Sequence, residues 1–244
     1  MGVRIVGLRG IPEIRRGDDV AAMIHKSAAA DGLALEAATI VVVAQKIVSK
    51  AEGAEVDLRD VEPSALARAW AAQWQKDARM IEVVLRQATR IVKMERGVLI
   101  AETHHGFVAA NAGVDQSNVP GEDRVTLLPA DPDASASRLR AQLGCGAVIV
   151  SDTFGRPWRE GLVNVAIGVS GTEALEDWRG REDYTGKLLQ GTVIAVADEI
   201  AAAAGLVMRK ADGVPVALVS GFEWQRAEGS ARALLRDPAR DLFR

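Results

Sequence analysis

The sequence predicts an α+β fold, a mixed α/β arrangement rather than a cleanly doubly wound sheet. Short β-branched runs and helical stretches intermingle along the 244 residues without strict alternation. Apolar residues make up 48%, enough at this length to bury a real core. No internal repeat, low-complexity tract or flexible linker breaks the pattern.

The elements follow in order. VRIVGL alternates and reads as a strand, and GIPEIRRGDD as a charged loop. Asp18 or Asp19 caps a helix over 20–30, which Asp31 and Gly32 end. Residues 39–44 are β-rich and apolar, a buried strand that runs into the polar QKIVSKAEG. Pro63 suits the first turn of a helix, and helical periodicity continues to residue 87, with Asp77 starting a second segment. Trp70, Trp74, Ile81, Val84 and Leu85 fall on apolar faces and read as packing residues. Residues 89–94, the turn Glu95-Arg96-Gly97 and residues 98–102 form a hairpin. A polar turn at 104–106 and the stretch GFVAANAG lead into the loop VDQSNVPG.

In the second half, Asp131-Pro132-Asp133 opens a helix over 134–143, closed by Gly144. Residues 147–150 form a buried strand, after which Ser151, Asp152 and Thr153 leave the core. VNVAIGVSG reads as a further strand, GTEALEDWRG as a short helix and residues 192–196 as β-like. ADEIAAAAGLVM is an alanine-rich helix and VPVALVSGF a late strand. Residues 226–244 are charged and are placed on the surface.

A formal net charge of -3 argues against a broad basic surface, so nucleic acid is not an expected partner. The longest apolar runs fall far short of the ~20 residues a spanning helix needs, and MGVRIVGLRGIPEIRRGDD lacks the apolar core of a secretory signal. No membrane partner is expected, and a cytoplasmic location is. Cys145 is the single cysteine and cannot form an intrachain disulfide; between Gly144 and Gly146 it reads as a small residue near a helix end rather than a nucleophile.

Four stretches carry candidate chemistry. Asp152 and Thr153 follow an apolar strand, where a carboxylate is held with little entropy to lose. Magnesium takes oxygen ligands and keeps several waters, so one or two carboxylates with phosphate oxygens suffice; Asp152 also fits the cap of a turn. In NAGVDQSNVPG, Asp115 and Asn118 sit in a glycine-flanked loop that lets both turn to one ligand, although Asx residues populate such turns for local reasons. Lys46 and Lys50 are four apart after a buried strand; ammonium groups suit phosphate, but spacing alone favours a solvated pair. Arg156 and Arg159 suit forked binding of an anion or stand as surface arginines. His104 and His105 read as a structural turn. The P-loop pattern GxxxxGK[ST], the GxSxG elbow and the GxGxxG fingerprint are all missing.

GIPEI, QKIVSKAEG, NAGVDQSNV, SDTFGRPWREG, VAIGVSG and ADEIAAAAGLVM occur in this order over residues 3–222. Together they resemble the coenzyme F-420-0:L-glutamate ligase family, also called F-420 gamma-glutamyl ligases. The resemblance implies an unusual fold, an intertwined homodimer and a single module over 1–244 that can divide into two subdomains. Some bacterial members carry a fused nitroreductase-like domain, which is not expected here. The implied activity is a GTP-dependent ligase of coenzyme F-420 biosynthesis. It joins L-glutamate to the lactyl carboxylate of F-420-0 through an acyl phosphate, and can add further gamma-linked glutamates. The implied cofactors are magnesium or manganese, two ions, and potassium, with GTP as co-substrate.

Carried over by motif, Asp115 and Asp152 match metal ligands, and Thr153 a ligand to a second metal. Asp115, Asp152 and Lys50 are the implied catalytic groups. Ile11, Pro12, Glu13 and Ile14 match a GTP-binding loop, Gln45 and Lys46 a contact pair, and Lys50 and Asn118 further GTP contacts. Met208, Arg209, Lys210, Ala211, Asp212, Gly213 and Val214 match a nucleotide-binding segment. There some members of the family carry a glutamate near the second metal, whereas this chain has Lys210 near that place, with Asp212 as the alternative oxygen donor. Two other readings stay open: a nucleotide-binding regulatory or scaffold protein without turnover, and an amide ligase for another carboxylate.

Overall fold

The computed structural model describes residues 2–117, 121 and 123–241. Its first half holds β1 (Arg4–Leu8), α1 (Val20–Ala30), β2 (Ile40–Ala44), α2 (Gln45–Glu52), β3 (Glu55–Asp57), α3 (Ala65–Trp74) and α4 (Ala78–Gln87). Then come β4 (Ala88–Glu95), β5 (Val98–Thr103), β6 (Val108–Ala110) and β7 (Arg124–Thr126). The second half holds α5 (Pro132–Leu143), β8 (Ala147–Arg156), β9 (Arg159–Ser170), β10 (Glu176–Asp177), β11 (Val193–Ile194), α6 (Val196–Met208) and β12 (Val216–Ser220). The mixture of helices and sheets agrees with the α+β class.

The main sheet has the order β1-β12-β2-β8-β9, and only the β2–β8 pair is parallel. That pairing explains the unbroken apolar runs. Ile40 to Val43 and Ala147 to Val150 are fully buried, as a strand covered on both faces requires. Helices α5 and α6 pack on β9. At Gly168 an added Cβ would stand 2.2 Å from the Pro132 carbonyl oxygen, so the glycine lets the start of α5 rest on β9. Asp133 fixes this junction, its carboxylate accepting from the Val169 N–H (2.8 Å), the Ala231 N–H (3.0 Å) and the Ser230 hydroxyl (2.5 Å). Asp198 does the same for α6, accepting from the Ala166 N–H at 2.8 Å.

A second core gathers Leu58, Trp70, Val84, Leu99 and Val125 beneath α3, α4 and the sheet β4-β5-β6. Its helices match the apolar faces read from the sequence, and Asp77 caps α4 through the Arg79 N–H.

Four expectations need correction. The helix expected from Pro63 starts at Ala65 with Ser64 as its cap, because the Ser64 hydroxyl accepts from the Ala67 N–H. GTEALEDWRG forms no helix: the Ala174 carbonyl accepts from the Ala197 N–H, and β10 pairs with β11. Strand β8 does not end at Val150 but runs to Arg156, because β9 continues alongside it after β2 has stopped opposite Ser151. The charged tail is not merely superficial, since Ala231 is fully buried and held by Asp133.

Candidate active site

Beyond Ser151, β8 has β9 on one side and has lost β2 on the other. Asp152 and Thr153 therefore sit just past the end of the parallel pairing, facing a cavity of about 600 Å³. That volume suits a nucleotide-sized ligand. The N-terminal loop supplies Ile11, Pro12, Glu13 and Ile14 to its wall. Helix α2 supplies Gln45, Lys46 and Lys50, and the loop before β7 supplies Asp115 and Ser117. The segment after α6 adds Met208, Arg209, Lys210, Gly213 and Val214.

Helix α2 begins directly at the end of β2, with no capping side chain at Ala44, and ends on Gly53 at φ 73°. Its start leaves backbone N–H groups free of intrahelical partners beside the cavity. Its i, i+4 spacing puts Lys46 and Lys50 on one face. The solvated-pair reading fails here: Lys50 is only 4% exposed. Its ammonium donates to Glu13 at 2.5 Å. Lys46 donates to Asp115 at 2.6 Å and to the Ser117 hydroxyl at 2.9 Å, and also to the Ser117 carbonyl. Gln45 is buried, its side-chain oxygen accepting from Ser49 at 2.7 Å.

The two acids differ in electrostatic state. Burial pushes the Asp115 carboxyl up, but Lys46 together with the N–H and hydroxyl of Ser117 outweighs it and holds the group below the usual range. Asp115 is also fixed by main-chain bonds with Thr126 in both directions, 3.0 and 2.8 Å. Asp152 forms no ion pair among the described residues. Burial first, and then the Asp115 charge, push it up to about 6, against the opposing pull of the Thr153 N–H, Lys210 and Lys46. A desolvated carboxylate beside a second one, both on the wall of one cavity, is a donor set that fits a hard divalent cation. Glu13 lines the same cavity, but among the described residues no three acidic, histidine or cysteine side chains gather closely enough to hold a metal ion by themselves.

Not every expected residue converges. Ala211 and Asp212 do not line the cavity, and Asp212 lies 3.6 Å from Arg209 in an ion pair. Arg156 and Arg159 lie at the far end of the β8–β9 hairpin; Arg156 donates to the Glu160 carbonyl at 3.0 Å and Arg159 is exposed. Asn118 falls outside the described residues. Cys145 is buried and burial pushes its thiol up to about 11, which suits an inert packing residue. His105 is engaged with the Pro129 and Ala130 carbonyls, in keeping with a structural turn.

Among the wall residues that escaped the sequence reading, Ser117, Ser151, Asn164 and Gly205 bear on the chemistry. Ser117 ties Lys46 to Asp115. The Ser151 hydroxyl is buried with no partner among the described residues. Asn164 faces Thr153 across the hairpin, and Gly205 lies beside it on α6. A signal existed for Asn164, a polar side chain inside the apolar run VNVAIGVSG.

The sequence model of one family, described as F420-0:Gamma-glutamyl ligase, matches residues 9–221. The chain is similar to the coenzyme F420:L-glutamate ligase of Methanothermobacter thermautotrophicus, 42% identical with all of both chains covered. It is 46% identical to the protein of that name from Methanopyrus kandleri, over 95% of this chain and 94% of the relative. The relative of the same name from Methanocaldococcus jannaschii is 38% identical, over 99% and 97%.

Proposed function

The chain belongs to the F420-0:gamma-glutamyl ligase family, and from that premise we propose that it joins L-glutamate to the lactyl carboxylate of coenzyme F-420-0 at the expense of GTP. The observation that carries the reading is that Asp115, Asp152, Lys46 and Lys50 share the wall of one cavity.

A carboxylate is a poor acyl donor because its oxygen leaves badly. In the proposed route the lactyl carboxylate attacks the γ-phosphorus of GTP, the bond to the β-phosphate oxygen breaks, and GDP and an acyl phosphate result. The glutamate amine then attacks the acyl carbon, phosphate departs and the amine loses a proton. The protein's share is positioning and charge neutralisation. Lys50, pre-aligned by Glu13, and Lys46, pre-aligned by Asp115, offer ammonium groups to the polyphosphate. Asp115, Asp152 and Thr153 are the oxygen donors for magnesium or manganese, which supplies counter-charge to the phosphates when bound. Lys210 lines the same cavity and acts on Asp152, so it occupies the place where a second divalent ion would need an acidic donor. A second ion and potassium belong to the proposal through the family resemblance.

The proposal includes a single catalytic module, a cytoplasmic location and a homodimer. The homodimer enters the proposal through the family resemblance. No helix among the described residues is long and apolar enough to cross a membrane.

The test is a mass-spectrometric assay with purified protein, F-420-0, L-glutamate, GTP and magnesium. The expected result is a one-glutamate mass gain with one GDP released per amide bond. Nucleotide binding without a mass gain would identify a non-catalytic binding protein instead. Amide formation only on a different acid would redirect the substrate assignment.

A further inference from the structure

We infer that Asn164 is a positioning residue that sets the orientation of the Thr153 hydroxyl by accepting its hydrogen bond. The inference rests on the proposed role of Thr153 as an oxygen donor to a cation. A threonine hydroxyl has one proton and two acceptor lone pairs. If its proton points into the cavity it repels a cation; if the proton is held elsewhere, the lone pairs are free. Here Thr153 Oγ1 donates to Asn164 Oδ1 at 3.1 Å, and both residues line the cavity.

Backbone and packing hold this pair from two sides. Thr153 and Asn164 are directly opposite in the β8–β9 register, which brings their side chains together. On its other side the Asn164 amide lies against α6. A Cβ at Gly205 would stand 3.2 Å from both Cγ and Nδ2 of Asn164. Gly205 interrupts the alanine-rich run AAAAGLVM, although glycine inside a helix costs about 1 kcal/mol relative to alanine. The gap it leaves is filled by the amide. The hydrogen bond from the Ala166 N–H to the Asp198 carboxylate keeps α6 on β9 two residues further along the same strand. Helix, amide and hydroxyl thus form one chain of contacts ending at the cavity.

The test measures Mn2+ binding to the purified protein with GDP present, by the electron paramagnetic resonance signal of free Mn2+. Asn164→Leu removes the acceptor at similar volume, and about tenfold weaker binding is expected. Asn164→Asp keeps an acceptor and cannot donate, so binding at least as tight as the parent is expected. Unchanged affinity in Asn164→Leu, or equal weakening in both variants, overturns the inference. Should Asn164→Leu fail to fold by circular dichroism, Gly205→Ala takes its place. It keeps every polar group and displaces the amide, with a loss of about threefold expected and no loss overturning the inference. Asp152→Asn serves as the reference: if it binds Mn2+ like the parent, the cation reading itself fails, independently of Asn164.

Discussion

Asp133 and Asp152 both belong to structure built around the β8–β9 hairpin, at two regions of the molecule. In the first turn of α5, Asp133 accepts from two backbone N–H groups and one hydroxyl, and so joins α5, β9 and the tail. On the cavity wall, Asp152 has no cationic partner among the described residues, a carboxylate as neighbour and burial that pushes it up to about 6. The same side chain is spent on cohesion in one place and left in want of counter-charge in the other. The difference separates a residue that holds the fold from one that awaits a ligand, without reference to any motif.

The sharpest way to break the comparison is Asp152→Asn. It should lower kcat/KM for ligation by about 1,000-fold or more, with a melting temperature no lower than the parent's, since a buried charge is lost. A clear drop in melting temperature would make Asp152 another structural acid. Asp133→Ala should do the reverse. Three hydrogen bonds to a carboxylate are lost, and urea denaturation should show about 3 kcal/mol of destabilisation with kcat at low temperature near the parent value.

The pH dependence sharpens the same contrast. With Asp152 raised to about 6 from 3.8, the folded protein binds the extra proton between those values. Its contribution to stability is therefore full below about pH 4 and is lost as pH rises through about 6. Asp115 is lowered, so its contribution is present above the usual carboxylate range and is lost as pH falls through its own value. Binding needs the ionised carboxylate, so Mn2+ affinity should weaken about tenfold per unit below pH 6, read by a Mn2+ titration at three pH values. A flat profile would remove Asp152 from the cation site. The smallest effect belongs to Lys210. Its charge favours ionised Asp152, so Lys210→Met should move the acid limb of that profile upward by about half a unit. An unmoved limb would detach Lys210 from the site.

Much of this was legible in the residues themselves. The helix over 20–30 and its aspartate cap, the hairpin around Arg96 and Gly97, and the helix closed by Gly144 rest on local chemistry that needs no tertiary partner. The departures have a tertiary origin. GTEALEDWRG has helical composition but is drawn out by bonds to the Ala197 and Thr192 backbones. Asp152 looked like a residue beyond a strand because apolar content ends at Val150, yet β9 carries the strand onward. The burial of Lys50 was invisible because its partner Glu13 is 37 residues away. Asn164 gains meaning only from a neighbour across the hairpin and a glycine on α6.

The position of β12 bears on how the chain is made. In the finished sheet this strand lies between β1 and β2, although it is translated long after both. While the ribosome adds the intervening segments, β1 and β2 have no common partner, and each waits with an open edge for residues 216–220. Closing the sheet thus waits until everything between β2 and residue 216 has been made. A nascent polypeptide stalled before that point would expose aggregation-prone strands and call on chaperones.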